Sequence, residues 1–177
     1  ITTGSSDVVV AVIDSGIILT HPDMQGSLRP GYDFVSDPAS ALDGNGIDSD
    51  PSEPLDPIAA GSTLFHGTHV AGTIGAASNN SAGVAGVNWS VSIMPLRAIG
   101  ALGSGTAYDI AQALRYAARL PNDSGTRPAS AADVVNLSLG GGAYSQALQD
   151  LVTQARANGV IVVAAAGNEN TSAPSLS

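Results

Sequence analysis

Four short runs of apolar residues divide the chain and predict buried strands. They cover residues 8–13, 92–98, 134–139 and 160–166. Within each run apolar residues largely follow one another instead of alternating with polar ones, which is typical of strands covered on both faces of a sheet. We therefore expect four strands in the interior of the protein.

Two segments between the later runs predict helices. Apolar residues recur at intervals of three and four within residues 106–120 and again within residues 145–158, so each segment has one apolar face. Gly159 follows the second segment as a natural helix stop. Because strands and helices alternate along the chain, the sequence predicts an α/β fold with a doubly wound parallel sheet.

The segment 33–62 interrupts this pattern. It is rich in Asp, Gly, Pro and Ser and has no apolar periodicity, so we expect a long acidic loop inserted in the domain. Seven of the fifteen acidic residues lie between Asp33 and Asp56. Loops of this length are usually functional or disordered, and this density of carboxylates favours a cation site over a general acidic surface.

Composition and charge exclude several classes of function. The chain has 177 residues, 44 % of them hydrophobic, which suffices for one domain with a sizeable core. The net charge of −9, with six Arg and no Lys, argues against a nucleic-acid partner. No apolar run approaches the roughly 20 residues of a membrane span, so we expect no membrane association. The absence of cysteine excludes disulfides and thiolate chemistry within these residues.

Candidate chemistry lies where the predicted strands end, because reactive groups of open parallel sheets gather at the carboxyl ends of strands. Asp14 directly follows the first strand in Val-Ile-Asp-Ser-Gly, and Asn168 follows the last strand in Ala-Ala-Gly-Asn. An amide side chain in that place can donate to a developing oxyanion. Each has a plainer interpretation, since Asp14 could form an Asx turn with Gly16 and Gly-Asn pairs are common in turns.

A third motif, His-Gly-Thr-His-Val-Ala-Gly, covers residues 66–72. Its small residues favour a helix that begins near His66 and packs closely against a neighbour. A histidine at a helix N-terminus feels the positive end of the dipole, which disfavours imidazolium and keeps a neutral base. The alternative is a zinc pair of His66 and His69, but His21 is the one further histidine and no cysteine completes a ligand set.

In this order and on this sheet, the three motifs resemble those of the subtilisin-like serine proteases, the subtilases. The resemblance implies that Asp14 orients the imidazole and that His66 acts as general base and then as acid. It implies that Asn168 supplies the side chain of the oxyanion hole. It also implies a secreted, extracellular endopeptidase whose partners are protein or peptide substrates.

Two further stretches resemble the edges of the family's substrate cleft. Their glycines would let a peptide backbone add as an extra strand between them, although without the family they are simply flexible loops. The residues are Leu102, Gly103, Ser104 and Gly105 on one edge and Ser138, Leu139 and Gly140 on the other. Glu169 resembles the acidic rim with which some members accept basic residues, or is an exposed turn residue.

The family's nucleophilic serine stands in Gly-Thr-Ser-Met-Ala or a close variant, after the oxyanion asparagine. None of this chain's serines stands in that pattern. We therefore expect residues 1–177 to be roughly the N-terminal two-thirds of a peptidase domain, inactive without the missing C-terminal part as its partner. The alternative is a non-catalytic, calcium-binding scaffold module. A nucleotide-binding protein is excluded because no glycine-rich phosphate motif follows the first strand.

The resemblance also implies calcium as a cofactor, an ion that takes about six to eight oxygen ligands, often in irregular loops. One implied site uses the side chains of Asp23 and Asn80 with the backbone carbonyls of Ser78, Ala82 and Val84. The plain alternative is an uncharged turn.

The alternating oxygen side chains of the acidic loop predict a second calcium site. The candidate ligands are Asp37, Asp43, Asn45, Asp48 and Asp50. The loop lacks the glutamate that completes an EF-hand, because Pro stands at position 54. A solvated acidic loop is the alternative.

Overall fold

The structure is a computed structural model that describes residues 3–54 and 65–168. Its strands are β1 (Gly4–Asp14), β2 (Tyr32–Asp33), β3 (Ser90–Arg97), β4 (Val134–Leu137) and β5 (Ile161–Ala164). All five are parallel and form one sheet in the order β2-β3-β1-β4-β5. The α/β fold with a parallel sheet that the sequence predicts is therefore confirmed.

Four α-helices accompany the sheet. They are α1 (Pro38–Ala41), α2 (His66–Gly75), α3 (Ala107–Ala117) and α4 (Gln146–Ala157). Thr106 and Ser145 cap α3 and α4, because each side chain accepts a hydrogen bond from a backbone N–H of the first turn. Helix α4 ends at Asn158, and Gly159 follows with a φ of 88°, the left-handed conformation in which glycine stops helices.

Strand β1 contributes side chains to two hydrophobic clusters, one on each face of the sheet. Ala11 and Ile13 pack with residues of α3 and α4, whereas Val10 and Val12 pack with α2 and with residues 17–28. Because successive side chains of a strand point to opposite faces, a run without polar residues is what a doubly covered strand requires. Asp14 ends this run and is buried by the same arrangement.

The structure corrects several predicted boundaries. Strand β1 begins at Gly4 instead of residue 8, and β4 and β5 stop two residues before the predicted ends at 139 and 166. Strand β2 was not predicted, because two residues are too short to form an apolar run.

The predicted loop 33–62 contains short regular elements in the part that the structure describes. Asp33 lies in β2 and bridges to Asp48, and α1 lies within the segment. Residues 55–62 of the predicted loop lie outside the described residues.

A buried ion cluster ties the acidic segment to the sheet. Arg97, at the end of β3 and 1 % exposed, donates from Nη1 to Asp33 Oδ2 at 2.5 Å and to Asp43 Oδ2 at 2.7 Å. Its Nη2 donates to the carbonyl of Ala41. Burial raises the pKa of Asp33 to about 7, while the adjacent guanidinium of Arg97 acts to lower it.

Strand β5 has apolar side chains exposed at the outer side of the described sheet. Ile161 is 61 % exposed and Val163 is 49 % exposed, whereas Ile13 of β1 is fully buried. Apolar side chains at a sheet edge mark a surface suited to contact with further protein. No helix within residues 3–54 and 65–168 is long and apolar enough to cross a bilayer.

Candidate active site

Asp14 closes strand β1 as a buried carboxylate. It is 2 % exposed, and its Oδ1 accepts a hydrogen bond of 2.7 Å from the backbone N–H of Ser15. Oδ2 is buried with no hydrogen-bond donor among the residues that the structure describes. A buried carboxylate with few hydrogen-bond donors favours a hydrogen bond from the neighbouring group, which here is the ring of His66.

His66 is the first residue of α2 and meets Asp14 directly. The distance from His66 Nδ1 to Asp14 Oδ1 is 2.8 Å, and the histidine side chain is 41 % exposed against 3 % for the aspartate. When Nδ1 carries the proton and donates to Asp14, the other ring nitrogen, Nε2, is left as an acceptor. In this arrangement Nε2 can act as a base while the buried carboxylate of Asp14 binds the Nδ1 proton.

Two glycines allow close backbone contacts around the Asp14–His66 pair. A Cβ at Gly67 would lie 2.2 Å from the carbonyl oxygen of Gly16 and 3.2 Å from Asp14 Cβ. Gly16 itself has a φ of 99°, and a Cβ there would lie 2.8 Å from the carbonyl oxygen of Pro51. Gly67 thus lets the start of α2 contact the backbone after β1, and Gly16 lets residues 51–53 approach the same turn.

A hydrogen-bond network surrounds the contact. Ser15 Oγ accepts from the backbone N–H of Gly67 at 2.9 Å and donates to Glu53 Oε1. The hydroxyl of Thr68 donates to Glu53 Oε2 at 2.7 Å and accepts from the N–H of Ile18 at 2.9 Å. Burial raises the pKa of Glu53, and its hydrogen bonds with Ser15 and Thr68 act to lower it.

Glu53 was missed by the sequence reasoning. It stands among seven acidic residues of a segment without periodicity, so no local pattern distinguishes it from its neighbours. Ser15 and Thr68 stand inside the Asp and His motifs, but only the folded contact shows what their hydroxyls bind.

Asn168 follows β5 and is exposed. Strands β1 and β5 are parallel members of one sheet, so Asn168 and Asp14 both follow strands at the carboxyl edge. Ala165 donates its N–H to Leu137 O at 3.0 Å, which continues the pairing of β5 with β4 as far as this turn. The role of Asn168 in an oxyanion hole stays a prediction, and Glu169 lies outside the described residues.

The two predicted cleft edges lie on either side of Asp14. One follows β3 and the other follows β4, the strands that flank β1 in the sheet. Leu102 has a φ of 58° and is 55 % exposed, and Ser138 accepts a hydrogen bond from the amide of Asn136 at 2.9 Å. Leu139 packs partly against the core and Gly140 is exposed. The arrangement fits a cleft across the end of β1, which stays a prediction.

The first predicted calcium loop wraps around Asp23. This carboxylate is 7 % exposed, and its Oδ2 accepts the N–H of Val84 at 2.8 Å. A Cβ at Gly83 would lie 2.0 Å from the same oxygen, so the loop backbone closes tightly over the charge. Asn80 Oδ1 accepts from the N–H of Ala82 at 3.1 Å. Within the described residues Asp23 has no ion-pair partner, and a cation at this loop stays a prediction.

The second predicted calcium site fits a cation less well. Asp43 is paired with Arg97, Asp37 caps α1, and Asp48 accepts from Asn45 Nδ2 at 2.7 Å. Asp50 accepts from the backbone N–H of Ser52 at 3.0 Å. Across residues 3–54 and 65–168, no three side chains of His, Cys, Asp or Glu gather as a metal site. The His66 and His69 pair likewise has no third ligand of these types in that part of the chain.

A parallel sheet covered on both faces at β1, with a buried aspartate hydrogen-bonded to a partly exposed histidine where that strand ends, defines a class: an α/β protein with the Asp–His arrangement that serine-protease sites share. The family model described as the subtilase family matches residues 5–177. The chain belongs to the subtilase family.

Its relatives are proteases. An extracellular protease of Xanthomonas campestris pv. campestris is 42 % identical over 177 residues, covering 94 % of this chain and 30 % of that protein. A thermophilic serine proteinase of a Bacillus species is 41 % identical over 172 residues, covering 97 % of this chain and 36 % of that protein. Solved proteases from Pseudoalteromonas arctica match at a TM-score of 0.87 and 42 % identity, covering 95 % of this chain and 51 % of that chain. The chain thus spans about a third to a half of these relatives.

Proposed function

We propose that the whole protein is a secreted serine endopeptidase and that this chain carries its acid–base pair. The observation that supports the proposal is the 2.8 Å contact between His66 Nδ1 and the buried carboxylate of Asp14. Relatives named as extracellular and serine proteases support the class of reaction and a site of action outside the cell.

In this proposal each residue has its own step. His66 Nε2 accepts the proton of a serine hydroxyl as that oxygen attacks the scissile carbonyl, and it later delivers the proton to the leaving amine. Asp14 holds the tautomer with the proton on Nδ1 and stabilises the imidazolium that forms. Asn168 donates its amide to the oxyanion at the carboxyl edge of the sheet. A substrate backbone lies along the segments after β3 and β4.

The nucleophilic serine is proposed to lie outside residues 1–177. None of the chain's serines stands in the family's Gly-Thr-Ser pattern, and the relatives extend well beyond the matched region. Ser15 is the serine next to Asp14, but its hydroxyl donates to Glu53 and is buried. The isolated chain is therefore expected not to hydrolyse peptide bonds.

Calcium is proposed as a stabilising ion at the loop of residues 78–84. Asp23 would supply the carboxylate and Asn80 the amide oxygen, with carbonyls of Ser78, Ala82 and Val84. The burial of Asp23 under the loop supports this set. A bound divalent cation would neutralise the buried charge and hold the loop that follows α2.

The function is tested by hydrolysis of an unfolded protein substrate by the whole enzyme. His66→Ala and Asp14→Asn should each lower kcat severely, by about 10⁴-fold for the aspartate change as in another serine-protease triad. His69→Ala is the matched control, because His69 is exposed one helical turn away. Wild-type kcat in His66→Ala would reject the proposed function.

A further inference from the structure

We propose that Glu53 is a positioning residue for the Asp14–His66 pair, an inference that rests on the protease function proposed above. Glu53 stands in the acidic segment, thirteen residues before His66 in the sequence and outside all three motifs. In the folded chain its carboxylate binds residues beside both members of the pair. It would act through the first turn of α2 and not on the substrate.

The carboxylate of Glu53 bridges the two motifs. Oε1 accepts the hydroxyl of Ser15, the residue after Asp14. Oε2 accepts hydrogen bonds from Thr68, two residues after His66: one from its hydroxyl at 2.7 Å and one from its backbone N–H at 3.4 Å. One side chain therefore joins the end of β1 to the start of α2 by hydrogen bonds to a charged acceptor, which are stronger than neutral ones.

Helix α2 needs this external support because it lacks a cap of its own. Its N-cap residue, Phe65, has a φ of 59° and provides no side-chain hydrogen bond. In place of a cap, the N–H of Gly67 donates to Ser15 Oγ and the N–H of Thr68 donates to Glu53 Oε2. A carboxylate at this end also faces the positive end of the helix dipole, so it stabilises the first turn electrostatically.

Glu53 is itself fixed to the strand end. Its N–H donates to Ile17 O at 3.2 Å, and the N–H of Ile17 donates to Pro51 O at 3.1 Å. This short parallel pairing holds residues 51–53 against the residues that follow Asp14. The carboxylate is therefore preorganised, and its bonds restrain α2 relative to β1.

Loss of the Glu53 carboxylate would change the orientation of the His66 imidazole. His66 opens the helix turn that Glu53 restrains, so loss of the carboxylate lets His66 move relative to Asp14. Misplacement of a catalytic group by about 1 Å can cost about 10²-fold in rate. Glu53 lies outside both predicted cleft edges, so the loss should fall on kcat and leave KM unchanged.

The test compares Glu53→Ala and Glu53→Gln in the whole enzyme, with Asp150→Asn as a control for loss of one negative charge. Asp150 is exposed on α4 and bonds only to Gln146 in the described residues. We expect Glu53→Ala to lower kcat by about 10- to 100-fold at unchanged KM. Glu53→Gln, which keeps the shape and one acceptor oxygen, should recover part of the loss, and Asp150→Asn should match the wild type.

A second readout is the low-field proton resonance of His66 Nδ1–H, which reports the bond to Asp14 without any turnover. It should broaden or move upfield in Glu53→Ala and persist in Asp150→Asn. Wild-type kcat and an unchanged resonance in Glu53→Ala would overturn the inference, as would a loss of kcat that only follows the unfolded fraction. An inactive wild type whose resonance still depends on Glu53 would instead reject the proposed function alone.

Discussion

At the scale of single residues, Gly67 is where the Asp14–His66 pair is most sensitive to added volume. A Cβ at this position would overlap the backbone oxygen of Gly16 at 2.2 Å, and backbone atoms cannot turn away as a flexible side chain can. The first turn of α2 would have to move away from the end of β1. The requirement for glycine here is thus steric and acts directly on the geometry of the Asp14–His66 pair.

Gly67→Ala is expected to destabilise the protein by about 1–3 kcal/mol, the usual cost of overpacking, and to lower kcat. Gly72→Ala is the matched control on the same helix, because a Cβ there meets nothing within 4 Å. The control should be neutral or stabilising by up to about 1 kcal/mol, since alanine favours helix over glycine. Urea unfolding and steady-state kinetics measure both, and equal effects of the two changes would contradict the steric explanation.

Single residues also show how far sequence reasoning reaches. Asp14 and His66 are predictable because each stands in a recognisable local motif, and the structure brings them together. Glu53 is not predictable, because its role depends on a contact between segments that are distant in sequence. Asp43 and Asp50 are acidic residues of the same segment, but they bind Arg97 and Ser52 instead.

At the scale of elements, the ion cluster around Arg97 joins β3 to β2 and α1. Arg97 is buried against the equally buried Asp33, and removing one member of such a cluster leaves an uncompensated charge in the core. The cluster fixes the described part of the acidic segment, up to residue 54, to the sheet although that part has no apolar periodicity. Charge pairing, which hydrophobic patterning does not detect, acts there together with the burial of Phe34, Val35 and Ala41.

Arg97→Met is expected to destabilise the folded state by about 3–5 kcal/mol, measured by urea unfolding in a His66→Ala background that prevents self-digestion. Arg127→Met, at an exposed position, should change stability by less than about 0.5 kcal/mol. Adding Asp33→Asn to Arg97→Met should recover part of the loss, because the stranded anion is removed. A loss no larger than that of the exposed control would show that the cluster contributes little.

Whether the sequence predicts an element depends on the length of that element. Long segments with clear periodicity, such as α3, α4 and β1, were predicted in place with errors of a few residues at their ends. Strand β2 and helix α1 have only a few residues each, and their positions depend on pairing with β3 and on Arg97. Such elements form only within the tertiary structure, so the sequence around them carries no periodic signal.

At the scale of the whole molecule, calcium is expected to stabilise the enzyme through the loop over Asp23. Removal of calcium by a chelator should lower the melting temperature, and calcium but not magnesium should restore it, because magnesium demands a smaller octahedral site. Asp23→Asn should weaken this calcium dependence, whereas Asp133→Asn, whose carboxylate accepts the N–H of Val9, should retain it. A melting temperature that is insensitive to chelation in the wild type would reject calcium as a ligand.

The most direct test of the proposed function is labelling of the whole protein with a fluorophosphonate, followed by mass spectrometry of the labelled peptide. We predict covalent labelling of one serine outside residues 1–177, abolished by His66→Ala, and no labelling of the isolated chain above background. His66 and Asp14 would then activate a nucleophile contributed by the rest of the enzyme. Labelling of a serine within this chain, or labelling that survives His66→Ala, would contradict the proposal.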